Sequence, residues 1–201
     1  MTYSRDQLSL FSVSEQKTLR YATQQPELLK LSSDSLQAWK QRLFDYQQQV
    51  QVAPTLQQGN LFDTASVAVD DRLDPHCLDP FSLPQQNTEF WRWKASDAGV
   101  AALYFVIDYT LPILLYVGET VKSGQRWKGE HDCKRYLLNY RQVHYQNQLE
   151  TQLGIAFWSL APTQTRDRQR LESALIAKWR SPFNKENWEM WGTPFTGLVI
   201  G

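Results

Sequence analysis

The chain has 201 residues, of which 42% are hydrophobic and 13% aromatic, enough to build one globular domain with an extension, or two small ones. Its 21 Lys and Arg balance 21 Asp and Glu, and a net charge of zero argues against a uniformly basic nucleic-acid-binding protein. No apolar run approaches the ~20 residues of a membrane span, and no apolar signal segment follows Met1. We therefore expect a cytoplasmic protein with no membrane partner. Cys77 and Cys133 have no disulfide-framework or metal-binding spacing, which favours two reduced, structural thiols.

The N-terminal region, residues 1–51, is predicted to be helical. A short helix over 14–24 ends before Pro26, and a second runs from Asp34 to about Val50. The second helix carries an apolar stripe at spacings of three, four and three, formed by Leu36, Trp39, Leu43 and Tyr46. Two short helices cannot bury this stripe alone, so we expect it to pack either on the following domain or on a second subunit.

Residues 52–89 are predicted to form a linker or covering segment without much regular structure. Five prolines and glycines interrupt it, at Pro54, Gly59, Pro75, Pro80 and Pro84. The cluster Phe90-Trp91-Arg92-Trp93 follows. Its aromatic rings suit core packing, which we favour, or a platform on which bases stack.

The remaining region, 90–201, is predicted to be a small α+β domain with a central sheet flanked by helices. An apolar run over 101–107 predicts a buried strand, and 113–117 predicts a second strand that forms a hairpin with it. A helix over about 128–149, a strand over 154–160 and a helix over 166–180 complete a β-β-α-β-α order. The Trp-rich tail, 183–201, is expected to wrap around this domain.

Five polar side chains stand in a distinctive order on these predicted elements. The gap from Tyr104 to Tyr116 is 12 residues, and Arg126 follows Tyr116 by 10; on the last helix, Glu172 precedes Asn184 by 12. This set, with the motifs Ala102-Leu103-Tyr104 and Tyr116-Val117-Gly118, resembles the GIY-YIG nuclease family over about 99–186. The alternative is that sheet tyrosines and helix charges fell in this order by chance.

The resemblance implies metal-dependent hydrolysis of a phosphodiester. Glu172 would bind Mg²⁺ or Mn²⁺, Tyr104 would take a proton from the attacking water, and Arg126 would balance charge on the phosphate. Tyr116 would hydrogen-bond the phosphate or the water, and Asn184 would anchor the loop beside the site. From the residues alone, Glu172 could instead form a salt bridge with Arg168 or Arg126, because a carboxylate at the edge of an apolar stripe needs a partner.

Two positions depart from the family pattern. The first motif has Ala102 where the family has glycine, a small change in side-chain size. Many members place a histidine one helical turn after the arginine, whereas this chain has Glu130 there and His131 one residue later. His131 is thus a candidate catalytic residue, with a structural or solvent-exposed histidine as the alternative.

The basic residues are concentrated near this predicted site. Residues 90–201 hold fourteen Lys and Arg against ten Asp and Glu, whereas 1–89 hold seven against eleven. This asymmetry favours a local phosphate-binding face, with an ordinary solvated helix face as the alternative. The candidate nucleic-acid contacts are Lys122, Arg126, Lys128, Lys134 and Arg135.

We therefore expect a DNA endonuclease that acts in repair or recombination. The sequence has no zinc-finger spacing and no evident helix-turn-helix, which favours branched or junction DNA over a long sequence. The alternatives are a site-specific restriction-type enzyme, a catalytically silent nucleic-acid-binding protein, and an interaction protein without a nucleic-acid role. A two-fold symmetric junction would suit a homodimer formed through the N-terminal helices.

Overall fold

A computed structural model describes residues 31–53, 74–87, 102–120 and 132–196. These ranges form a mixed α+β structure in which helices pack on a four-stranded antiparallel sheet. The helices are α1 (Ser33–Gln48), α2 (Asp132–Gln146), α3 (Thr165–Trp179) and the single turn α4 (Trp188–Trp191). The strands are β1 (Gln85–Asn87), β2 (Ala102–Asp108), β3 (Ile113–Thr120) and β4 (Leu153–Trp158).

The sheet has the order β1-β4-β2-β3, with every neighbouring pair antiparallel. All seven residues of β2 are buried, as its continuous apolar sequence requires of a central strand. The predicted hairpin of β2 and β3 is confirmed, as are the later helix, strand and helix, with boundaries that differ by a few residues. In the described ranges, no helix is both long and apolar enough to cross a membrane.

The hairpin contains a bulge that decides which way the second tyrosine faces. The pairing register shifts between Val106 and Ile107, so that Leu115 is the extra residue of β3. As a result Leu115 and Tyr116 both pack on the same core cluster, although they are adjacent in the chain. Without the bulge, the strict alternation of a strand would place them on opposite faces.

The predicted N-terminal helix, α1, docks on this sheet within the same chain. Leu36 and Leu43 are fully buried in the core cluster that also contains Tyr104. The side-chain amide of Gln47 donates to the carbonyl of Leu114 (3.0 Å) and accepts from the Leu114 amide (2.7 Å). Of the two expected ways to cover the stripe, the structure therefore has the intramolecular one, so the stripe gives no support for a dimer.

The covering segment contains one strand that the sequence did not predict. Gln85–Asn87 forms β1 and pairs with Gly154–Ala156 of β4. Two glutamines and an asparagine have little intrinsic strand preference, so the strand forms because β4 offers it a pairing edge. The predicted helix over 14–24 and the aromatic cluster at 90–93 lie outside the described residues.

The described part of the tail packs against the core as expected. Phe183 and Phe195 are buried beside Tyr140, with ring centroids 5.9 and 5.1 Å from its ring. The indole of Trp39 in α1 donates to the carbonyl of Trp191 at 3.0 Å. Helices α1 and α2 and the tail therefore cover one face of the sheet, while α3 covers the other.

Candidate active site

The two predicted catalytic tyrosines lie side by side on one face of the sheet. Tyr104 of β2 pairs with Gly118 of β3, and Tyr116 pairs with Val106, so the two tyrosines are diagonal neighbours. Their ring centroids are 5.8 Å apart with an interplanar angle of 33°. Phe157 of β4 flanks Tyr104 on its other side, at 6.1 Å. Pairing and the β3 bulge thus bring together two side chains that are 12 residues apart.

Gly118 leaves the space that the Tyr104 ring occupies. A Cβ atom at position 118 would lie 2.5 Å from the Tyr104 hydroxyl oxygen and 2.8 Å from Cε1, closer than real contacts allow. The phenol end of Tyr104 therefore crosses above the backbone of β3, the last strand in the order of the described sheet. Tyr104 is fully buried and Tyr116 half-buried, so Tyr116 is the more accessible member of the pair.

Asn184 holds the segment that follows α3 against the tyrosine strand. The Val117 amide donates to Asn184 Oδ1 (3.0 Å), and Asn184 Nδ2 donates to the Val117 carbonyl (2.8 Å). The Ser181 hydroxyl also donates to Asn184 Oδ1, at 2.6 Å. Val117 lies between Tyr116 and Gly118, so these bonds fix the backbone at the site itself. This is the anchoring geometry expected of Asn184 from the sequence.

Glu172 lies on α3, the helix that packs on the opposite face of the sheet from the tyrosines. The helix reaches the end of β3 through Arg168, whose Nε donates to Glu119 Oε2 at 2.6 Å. Glu172 follows Arg168 by four residues and therefore shares its side of the helix. Glu172 is half-buried. Through the Arg168–Glu119 pair, its helix is tied to the residue directly after Gly118.

Arg168 is a buried cation whose donors are used within the chain. Besides Glu119, its guanidinium donates to the carbonyls of Pro162 (2.9 Å) and Thr163 (3.1 Å) and to the Thr165 hydroxyl (3.3 Å). Its side chain is 1% exposed, so these acceptors compensate the cost of burying the charge. Of the two salt-bridge partners considered for Glu172, Arg168 is paired with Glu119, and Arg126 lies outside the described residues.

Of the residues that the structure describes, Glu172 is the one predicted from the sequence to hold a metal ion. Among the described residues, no group of three or more His, Cys, Asp and Glu side chains is placed to hold a metal ion. Mg²⁺ does not require such a cage, because it commonly keeps several waters and takes other ligands from a substrate phosphate. The half-buried carboxylate of Glu172 fits that mode of binding.

Several predicted site residues belong to a part of the chain that the structure does not describe. These residues are Lys122, Arg126, Lys128 and His131. Lys134 and Arg135 are described and lie near the start of α2. Arg135 Nη2 donates to Asp132 (3.1 Å), and its guanidinium lies over the Tyr136 ring at 5.4 Å. Arg135 is therefore engaged on its own helix.

A second polar cluster, which the sequence analysis missed, is buried where α1 and α2 meet the sheet. Asp108, at the end of β2, accepts hydrogen bonds from Lys40 Nζ (2.9 Å), the Tyr140 hydroxyl (2.7 Å) and the Thr151 hydroxyl (3.2 Å). Lys40 Nζ also lies 3.2 Å from Nε2 of His144. Burial by itself would raise the pKa of Asp108, but the Lys40 charge and the donated bonds lower it overall. Helical spacing places Lys40 on the apolar face of α1, four residues after Leu36, but it does not identify Asp108 as its partner, so this partnership needed the structure.

No protein-family model, no curated protein and no solved structure matches this chain.

Proposed function

We propose that this protein is a divalent-metal-dependent endonuclease of the GIY-YIG type, cutting phosphodiester bonds in DNA. The observation that carries the proposal is the packing of Tyr104 against Tyr116 across a glycine, with Asn184 bound to the residue between Tyr116 and that glycine. Core packing alone explains two stacked aromatic rings. It does not account for the buried asparagine that bonds the backbone of Val117, two residues before a Glu119 side chain that is paired with a buried arginine.

In the proposed mechanism, each residue has the role that the resemblance to the GIY-YIG family implies. Glu172 holds the cation, Mg²⁺ or Mn²⁺, which when bound stabilises negative charge at the scissile phosphate. Tyr104 takes the proton from the attacking water; its side chain is fully buried in this structure, with the hydroxyl lying over Gly118. The more exposed Tyr116 donates a hydrogen bond to the phosphate. Arg126 binds the phosphate oxygens, and His131 is a further candidate for proton transfer.

The substrate class that we favour is branched or junction DNA, processed in repair or recombination. Apart from the site, the described ranges contain a β-sheet hairpin and single helices, and no helix-turn-helix that would read a long sequence. A site-specific restriction-type enzyme is the alternative within the same chemistry. A homodimer on a two-fold symmetric junction would have to form through a surface other than the buried stripe of α1.

The test is cleavage of labelled linear duplex, fork and four-way-junction DNA by purified protein in Mg²⁺, Mn²⁺ or EDTA. Wild type should cut in either metal and not in EDTA, and Glu172→Ala should reduce the rate by about 100-fold or more. Asp167→Ala is the matched control, because it removes an exposed carboxylate from the same helix. The preferred substrate distinguishes junction processing from site-specific restriction.

An absence of cleavage would support a different class of function. If every DNA stays intact in both metals while salt-dependent binding persists, the protein is a catalytically silent nucleic-acid-binding protein. If neither cutting nor salt-dependent binding is found, the nucleic-acid role itself is wrong. If Glu172→Ala and Asp167→Ala reduce the cleavage rate equally, the substitutions perturb the helix and do not reveal a metal-binding carboxylate.

A further inference from the structure

We infer that one exposed side of α2 binds the DNA arm that leaves the cleavage site, an inference that rests on the proposed function and extends it. Four residues define this surface, which we call the α2 ridge: Lys134, Leu138, Arg141 and Tyr145. None of them except Lys134 was among the candidate contacts predicted from the sequence. The occupant is the sugar-phosphate backbone of a nucleic-acid duplex.

The ridge is a single line along the helix. Its members are spaced by four, three and four residues, so at 100° per residue they lie within an arc of about 60°. The opposite side of α2 is fixed in the core through Cys133, Tyr136, Leu137, Tyr140, Val143 and His144. The ridge is therefore held facing outward, with Lys134 half-buried, Leu138 54% exposed, Tyr145 85% exposed and Arg141 exposed.

The ridge begins beside the candidate active site. Lys185 Nζ lies 3.7 Å from Asp132 Oδ2, which links the first residue of α2 to the residue directly after Asn184. The ridge then runs from Lys134 to Tyr145, away from this link. Eleven residues of helix span about 16 Å, which matches about five base-pair steps of a duplex.

The chemistry of the ridge suits a phosphate backbone. It carries two cations and no acidic residue, and cations near phosphates supply most of the salt-dependent affinity for DNA. Tyr145 presents an aromatic ring and a hydroxyl, which can contact a sugar or donate to a phosphate oxygen. Tyr145 is 85% exposed, so among the described residues its ring and hydroxyl are open to such a contact.

A second copy of this chain is the other occupant that an exposed leucine and tyrosine would suit. Two ridges packed face to face would place four cations and no acidic residue of the ridges in one interface, and in a parallel arrangement Lys134 and Arg141 of one copy would face the same cations of the other. Like charges in an interface oppose association, whereas DNA supplies the complementary charge. Charge complementarity therefore favours nucleic acid.

The test measures binding separately from cleavage. In a Glu172→Gln background with EDTA present, dissociation constants are measured for four-way junctions with arms of about 20 base pairs and about 4 base pairs, across a series of salt concentrations. Arg141→Ala combined with Tyr145→Ala should weaken binding to the long-armed junction about 5- to 20-fold and lower the salt slope by about one. The short-armed junction should lose less affinity, because an arm of about 4 base pairs, roughly 14 Å long, ends before Tyr145 at the far end of the ridge.

Arg170→Ala is the matched control, since Arg170 is an exposed cation on α3, the helix on the opposite face of the sheet. It should leave the affinity for long-armed junctions within about two-fold. Equal affinity of the ridge variant and wild type for long arms would overturn the inference while leaving the nuclease proposal intact. Loss of a dimer without loss of DNA binding would assign the ridge to a second copy and also overturn it. If wild type binds DNA through the ridge but never cuts, the nuclease proposal fails and the ridge stands.

Discussion

At the scale of single residues, the candidate site depends on a close approach that only glycine permits. The Tyr104 ring occupies the volume of a side chain at position 118, and Tyr116 and Phe157 prevent it from moving aside. The sequence shows a glycine two residues after Tyr116, which indicates that both lie on one face of a strand. It does not show that the tyrosine crossing this glycine comes from the neighbouring strand, since that follows from the register.

Gly118→Ala is predicted to displace the Tyr104 hydroxyl and to impair cleavage. The added methyl group overlaps the phenol ring, and overpacking of this kind costs about 1–3 kcal/mol of unfolding free energy. Denaturant unfolding and single-turnover cleavage should both be measured for Gly118→Ala, for Tyr104→Leu and for the double variant. Relative to Tyr104→Leu alone, the added Gly118→Ala should cost little stability, because the overlapping ring is gone, while cleavage should not recover. A Gly118→Ala protein as stable and as active as wild type would contradict the description of this contact.

At the scale of secondary-structure elements, the sequence predicts more of the fold than of the contacts between elements. The continuous apolar sequence of β2 and the 3.6-residue periodicity of α1 and α3 predicted these elements to within a few residues. Strand β1 was missed because its residues have no strand preference. The pairing of Arg168 with Glu119 joins residues 49 apart, and neither residue has a local pattern that identifies its partner.

This ion pair is predicted to position the Glu172 helix, so Arg168 acts through Glu172 and not on the substrate. Arg168→Met should lower the unfolding free energy, because it leaves Glu119 without its buried partner. The loss should lie toward the lower end of about 3–5 kcal/mol, because the side chain of Glu119 is 24% exposed. Arg168→Lys keeps the charge but loses the planar fork that reaches two carbonyls and a carboxylate. A folded Arg168→Lys protein should need more Mg²⁺ for its half-maximal cleavage rate. An unchanged Mg²⁺ dependence would limit Arg168 to a structural role.

At the scale of the whole molecule, the N-terminal helix is part of the same folded unit as the candidate site. Helix α1 contributes Leu36 and Leu43 to the core, and its Lys40 pairs with Asp108 in a cluster that includes Tyr140 and His144. Composition and periodicity predicted a helix that must be covered. They did not reveal that a lysine on this helix would enter the interior, because burial of a lysine depends on a partner from a distant strand.

The buried cluster predicts that stability decreases in mild acid. Burial lowers the pKa of His144, and the Lys40 charge adds to this, which outweighs the opposing effects of the Tyr140 carbonyl and Asp108. The folded state thus keeps His144 neutral where the unfolded chain binds a proton, so unfolding free energy should fall as pH drops below about 6.5. Thermal or urea unfolding between pH 7.5 and 5 measures this effect. In His144→Gln, the unfolding free energy should change less with pH over that range. An unchanged pH dependence would mean that other groups cause the loss of stability.

The central claim of the proposal is that Tyr116 and Glu172 act in one metal-dependent site, although Glu172 lies on the helix that covers the other face of the sheet. It is tested most directly by single-turnover cleavage of a junction substrate by wild type, Tyr116→Phe, Glu172→Asp and the double variant, in Mg²⁺ and in EDTA. We predict metal-dependent cutting by wild type, a loss of about 10-fold or more in each single variant, and a double variant little slower than the slower single variant, because residues that act as a unit are non-additive. Losses that simply multiply would place the two residues in independent roles, and a wild-type protein that cuts no DNA in Mg²⁺ would contradict the claim outright.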